Sequence, residues 1–197
     1  MKTLFLCSLG VCVTLNLSGC ITHPSLPLEQ RPTHWGNLIK AEHNFYKISP
    51  DVYRSEQPSP ALIAELRQQQ IQTVINLRSR NDDLKVLDQH EFNLIHVPIH
   101  TWAINRTDLL KVMQHIQNAK QNRQKVLLHC YHGSDRTGAS IAMYRIVFEN
   151  WSIENAVQEM KYGHYGYHPI WVNIEHIFTP ENVKWIREQL SNPSENS

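Results

Sequence analysis

The chain has 197 residues, 41% of them hydrophobic and 19% charged, with a formal net charge of +1. That is enough chain for one domain with a real core, and the composition excludes an intrinsically disordered protein. No basic excess marks a nucleic-acid binder, so no nucleic-acid partner is expected.

The opening stretch, MKTLFLCSLGVCVTLNLSGC, holds a single charge, Lys2, then a mostly apolar run from Leu4 to Leu17. The run is shorter than the ~20 residues of a membrane-spanning helix. A basic start, an apolar core and small residues at the end describe a secretory signal over residues 1–19. Leu17, Ser18 and Gly19 before Cys20 resemble the lipobox of bacterial lipoproteins. The resemblance implies cleavage before Cys20, lipid on its thiol and a membrane partner reached through that anchor. With Ile21 rather than aspartate after the cysteine, it also implies the periplasmic side of an outer membrane. Cys7 and Cys12 leave with the signal, so Cys130 is the one thiol left free and no disulfide framework is expected.

Residues 20–42 carry Pro24, Pro27 and Pro32 among few apolar side chains and read as a tether. The domain proper is expected over 43–190, with a polar tail over 191–197. Val52 to Arg54 reads as a short strand, and SPALIAELRQQQ as a helix with apolar Leu62, Ile63 and Leu66. IQTVINLR is β-branched and apolar, hence a buried strand. DDLKVLDQHE reads as a helix and FNLIHVPI as a strand ended by Pro98. RTDLLKVMQHIQNAK is amphipathic, with Leu109, Val112, Met113 and Ile116 on one face; KVLLHC is a strand. TGASIAMYRIVFEN, SIENAVQEMKY and Pro180 to Leu190 read as helices. Alternating strands and helices predict an α/β fold: a mainly parallel central sheet flanked by helices on both faces. Ligands in such sheets bind beyond the carboxyl ends of the strands, where Cys130 lies, with Arg78 and the segment after Pro98 at neighbouring ends.

HCYHGSDRTG, residues 129–138, carries the chemistry. Backbone amides of Tyr131, His132, Gly133, Ser134, Asp135 and Arg136 can curl round one centre, with the next helix aiming its N-terminus there. Such a nest binds an anion. Gly133 supplies a conformation that costs other residues more, and Arg136 a planar fork for two phosphate oxygens. A positive environment of this kind favours thiolate over thiol. Cys130 can therefore attack phosphorus, and water can release the phosphocysteine. Thr137 can hydrogen-bond the sulfur as it leaves, and His129 can orient the loop from below.

The pattern Cys-x5-Arg-Thr, with His before it and Gly inside it, resembles the loop of cysteine-dependent dual-specificity and tyrosine phosphatases. VYRSEQPSP, TVINLR and RTGASIAMYRIVFENWSIENAVQEM are similar to small atypical members from bacteria, fungi and plants, including periplasmic pseudomonad forms. The likeness covers roughly residues 44–162. It implies a small dual-specificity-phosphatase-like domain, a phosphoprotein substrate carrying phosphotyrosine, with phosphoserine or phosphothreonine also open, and neither cofactor nor metal. Most relatives of this kind carry an aspartate general acid on a loop before the cysteine. Here PIHTWAINRTD offers Trp102 and Ala103 in that place. Asp135 is one candidate acid and Asp108 the alternative; each also reads as a structural acceptor. Arg54 and Arg78 are candidate substrate contacts. KYGHYGYHPIW either walls the substrate site or packs on the domain, and its histidines lack the Cys or acidic neighbours of a metal site. Two other functions compete: a phosphatase of inositol phosphates or phosphoinositides, and a catalytically dead phosphate-binding module. The loop has no Lys or Arg besides Arg136, which counts against the first; Cys130, Arg136 and Thr137 together count against the second.

Overall fold

A computed structural model describes residues 21–192. The expected signal (1–19), the expected lipidation site Cys20 and most of the expected polar tail lie outside the described residues. The six strands are β1 (Asn37–Lys40), β2 (Phe45–Lys47), β3 (Val52–Ser55), β4 (Ile71–Asn76), β5 (Asn93–His96) and β6 (Lys125–His129). They form one sheet in the order β1-β2-β3-β6-β4-β5. β3, β6, β4 and β5 run parallel, while β1 and β2 add an antiparallel edge. The α/β expectation holds.

Among the described residues, six α-helices flank the sheet: α1 (Ile63–Gln68), α2 (Arg106–Gln121), α3 (Asp135–Phe148), α4 (Ile153–Tyr162), α5 (Val172–Glu175) and α6 (Pro180–Ser191). Side-chain alternation along β6 sorts the core into two layers. Val126 and Leu128 pack with Leu109, Val112, Met113 and Ile116 of α2 and with α3, α4 and α6. Leu127 faces the other way, onto Leu62, Leu66, Leu87 and Phe92. Each fully buried aliphatic side chain contributes about 1.5–3 kcal/mol. α2 begins where Asn105 accepts the amides of Thr107 (2.8 Å) and Asp108 (3.3 Å). Asp108 returns a bond to the Asn105 amide at 3.1 Å, closing a capping box.

Two expectations need correction. DDLKVLDQHE is not a helix; it makes one tight turn at Asp83–Lys85, because Asp83 and Leu87 point into the domain. The 20–42 segment is not a free tether over its described part. His23 and Leu26 donate amides to the carbonyls of Tyr167 (2.6 Å) and Tyr162 (3.1 Å). Trp35 is buried, the Gly36 amide reaches Glu159 (2.8 Å), and residues 37–40 form the edge strand.

Candidate active site

Four parallel strands end at one level: Ser55, His129 and Asn76 are register partners, as are Asn76 and His96. The loop after β6 therefore emerges from the middle of the sheet, and α3 begins at Asp135 within it. Its carbonyls are turned outward. Tyr131 O accepts from the Gln57 amide (3.1 Å) and His132 O from Asn44 Nδ2 (2.8 Å). Arg54 Nη2 donates to the carbonyls of Gly133 and Ser134. None of the amides from Tyr131 to Arg136 donates to a protein acceptor among the described residues. Carbonyls held out and amides left free make an anion cradle at the N-terminus of a 14-residue helix.

Gly133 has φ +73, and a Cβ there would lie 2.4 Å from the Ser55 carbonyl oxygen. Only glycine satisfies both demands. Cys130 is buried at the base of the loop. Arg136 Nη1 donates to the carbonyls of Leu77 (3.4 Å) and Ile99 (3.3 Å), the residues that follow β4 and lie three beyond β5. Its Nε and Nη2 have no protein acceptor among the described residues, so the fork presents two donors. Thr137 Oγ1 is buried without a hydrogen-bond partner there.

Arg54, expected as a candidate substrate contact, is fully buried and offers a substrate no surface. β3 is an interior strand covered on both faces, so Arg54 lies under the loop with its guanidinium 3.8 Å from the Tyr165 ring centroid. Burial pushes its pKa down, while Tyr165, Glu159 and Cys130 push it back up. Glu159 is itself bound by Arg145 (2.8 and 2.9 Å) and by the Tyr165 hydroxyl (3.0 Å), a paired buried network. Arg78 is mostly buried; its Nη1 donates to Gln57 (2.8 Å) and pairs with Asp82 (3.1 Å), and its guanidinium lies 5.2 Å from the Tyr131 ring.

A second chain of bonds orients the loop from below. His129 Nε2 lies 3.0 Å from Asp83 Oδ2, and Gln57 Nε2 donates to Asp83 Oδ1 at 2.8 Å. Burial pushes the Asp83 carboxyl up, but His129, Gln57 and Asn76 outweigh it and hold the group below its ordinary range. Nothing in the local pattern around Asp83, a stretch read as helix, signals that it belongs to this chain of bonds.

The two candidate acids are both engaged. Asp108 is the capping carboxylate of α2, and it lines neither cavity beside the loop. Asp135 Oδ1 accepts the His168 amide at 2.9 Å, and His168 Nδ1 lies 2.9 Å from Oδ2. A cavity of about 750 Å³ opens here, walled by Tyr131, His132, Arg136, His168, Ile170 and Trp171. KYGHYGYHPIW divides its roles: Tyr165 and Tyr167 are buried packing, and His168 and Trp171 wall the cavity. No cluster of three or more metal-ligating side chains occurs among the described residues.

Residues 52–179 match the family described as "Dual specificity phosphatase, catalytic domain". The dual specificity protein phosphatase TpbA of Pseudomonas aeruginosa (strain PAO1) is 33% identical over 150 residues, 76% of this chain and 68% of its own length. The crystal structure of a Cys→Ser variant of TpbA in complex with pTyr superposes with TM-score 0.75 at 30% identity, covering 82% of this chain and 99% of that one. PTPMT1 shares the fold, with TM-score 0.60 at 19% identity over 75% of this chain and 99% of that one. The cradle, its buried thiol and the matched length together place this chain in the dual specificity phosphatase family.

Proposed function

We propose that this phosphatase hydrolyses phosphotyrosine on proteins through a phosphocysteine on Cys130. The observation that carries the reading is the loop itself: amides from Tyr131 to Arg136 without a protein acceptor among the described residues, a buried thiol at its base and two donors of Arg136 left over. The thiolate attacks phosphorus, the S–P bond forms as the P–O bond breaks, and water then attacks phosphorus and restores the thiolate. Amides and guanidinium stabilise the charge that builds on the equatorial oxygens. The exposed ring of Tyr131 and the Trp171 wall offer an aryl group an apolar surround. TpbA, whose Cys→Ser variant was crystallised with pTyr, supports the same substrate. Polyphosphorylated inositols fit less well, since Arg136 is the loop's one fixed cation and Asp135 adds a negative charge.

The test is a substrate panel. Phosphotyrosine peptides should be turned over at least about tenfold faster than phosphoserine peptides, because a phenol (pKa about 10 in tyrosine) leaves more readily than an alkoxide. Preferential turnover of inositol phosphates would overturn the reading.

Lipid on Cys20 and a site at the periplasmic face of an outer membrane belong to the same proposal, supported by the sequence Leu17-Ser18-Gly19-Cys20. No helix among the described residues is long and apolar enough to cross a membrane. A diacyl anchor supplies the two chains that stable attachment requires. Cys20→Ala should abolish incorporation of labelled palmitate; persistent labelling would contradict the lipobox reading.

A further inference from the structure

The leaving oxygen needs a proton, and the segment after β5, PIHTWAIN (98–105), holds no carboxylate. Asp108, the nearest carboxylate in sequence, is occupied at the start of α2. Asp135 is turned away from a purely local role. Its Oδ1 takes the His168 amide at 2.9 Å, and Nδ1 of the same histidine lies 3.1 and 2.9 Å from its two oxygens. This double attachment fixes the imidazole and uses up Nδ1. Nε2 is the nitrogen left over, and it makes no hydrogen bond among the described residues. The ring lines the cavity that Arg136, Tyr131 and His132 also line. It is mostly buried, so it sits in place without any loop having to close.

We propose that His168, oriented by Asp135, is the proton donor to the leaving oxygen in this phosphatase. The inference rests on the phosphatase reading above and assigns that site its acid. In the first half-reaction the Cys130 thiolate forms the S–P bond, the P–O ester bond breaks, and Nε2–H of the imidazolium gives its proton to the departing oxygen. His168 is then neutral. In the second half-reaction water attacks phosphorus, the S–P bond breaks and His168 takes the proton from that water. Inorganic phosphate leaves, and both thiolate and imidazolium are restored. Asp135 touches His168 rather than the substrate, so it is a positioning residue. It holds the ring by one tautomer, as carboxylates do for catalytic histidines elsewhere.

Several groups surround the imidazole. Asp135 and Arg136 come from α3, and Tyr131 and His132 from the loop; the His132 ring centroid lies 6.1 Å away. Tyr167, next in the chain and buried, is pushed well above its ordinary range by burial first and by Glu175 and Asp135 next, so it stays neutral. A merely structural Asp135–His168 clasp would pin the 163–171 segment to the loop and nothing more. Its loss would slow every substrate alike.

The experiment compares the full chain with His168→Gln on phenyl phosphate, a poor leaving group, and on p-nitrophenyl phosphate, a good one. A lost general acid costs about 10²-fold or more on phenyl phosphate, with a loss at least ~10 times smaller on p-nitrophenyl phosphate. The basic limb of the wild-type pH–rate profile on phenyl phosphate should also vanish in the variant. Equal losses on both substrates, or an intact basic limb, would overturn the assignment. If His168→Gln does not fold, Asp135→Ala decides by the same comparison, since it removes the acceptor that orients the His168 ring while leaving the imidazole in the chain. If the wild type turns over both phosphates and the variant losses are equal, the His168 assignment alone falls. If the wild type turns over neither, the phosphatase reading falls with it.

Discussion

His129 and Asp83 meet 3.0 Å apart in the interior, each almost wholly removed from solvent, one residue below the nucleophile. A buried polar pair stays because each partner has its bonds filled. Asp83 also takes Gln57, which supports Tyr131 O and holds Arg78. The loop that carries Cys130 is thus tied through side chains to the turn after β4 and to the chain after β3.

The depressed Asp83 carboxyl sets a pH dependence of stability. Its folded value lies below the unfolded one, so its contribution is fully present above about pH 4–5, near and above an ordinary Asp pKa of ~3.9, and is lost as pH falls through the lower folded value. Asp83→Asn should cost about 1.5–3 kcal/mol at pH 7 by denaturant unfolding. The gap from wild type should close as pH falls below about 4. A gap that stays constant down to strong acid would show that Asp83 contributes no charge-dependent term.

Much of the scaffold is legible in the sequence, because its periods are clean. Leu109, Val112, Met113 and Ile116 announce α2's buried stripe, and IQTVIN and KVLLH announce interior strands. The loop is legible because glycine, cysteine and arginine each answer a different physical demand at fixed spacing. What stays hidden depends on distance along the chain. Asp135 and His168 are 33 residues apart and Asp83 and His129 are 46 apart, and no local pattern links either pair. β1, at four residues, is too short for alternation to show, so this edge strand reads as part of a tether. Arg54 reads as a candidate substrate contact because it stands at the end of an expected strand; the Tyr165 ring and the Gly133 carbonyl that bury it lie far along the chain, the latter 79 residues away.

Gly133→Ala should fail on two counts. The left-handed φ costs a Cβ-bearing residue about 1–2 kcal/mol, and the new methyl would press on the Ser55 carbonyl, which belongs to rigid backbone. The variant should melt at least several degrees lower and lose most of its activity. Wild-type activity in Gly133→Ala would mean that the loop does not need this conformation.

Arg54→Met keeps a similar volume but strips the Gly133 carbonyl of its donor, while the Ser134 carbonyl keeps the Gly138 amide at 2.6 Å. Each buried acceptor left unpaired costs about 1–3 kcal/mol. That cost is partly offset, because the buried guanidinium itself leaves Nε and Nη1 without partners. Global stability should therefore change less than activity does, with kcat falling more than KM rises. A large rise in KM at constant kcat would assign Arg54 to substrate binding, against its burial.

The central claim is that Cys130 becomes covalently phosphorylated in a cradle whose guanidinium must be Arg136. Rapid acid quench of the protein with a radiolabelled aryl phosphate should trap about one label per chain, at Cys130 by peptide mapping and absent from Cys130→Ser. Arg136→Lys should trap little, since lysine cannot present the planar fork. Turnover by a clean Cys130→Ser preparation, or label mapped to any other residue, would contradict the account.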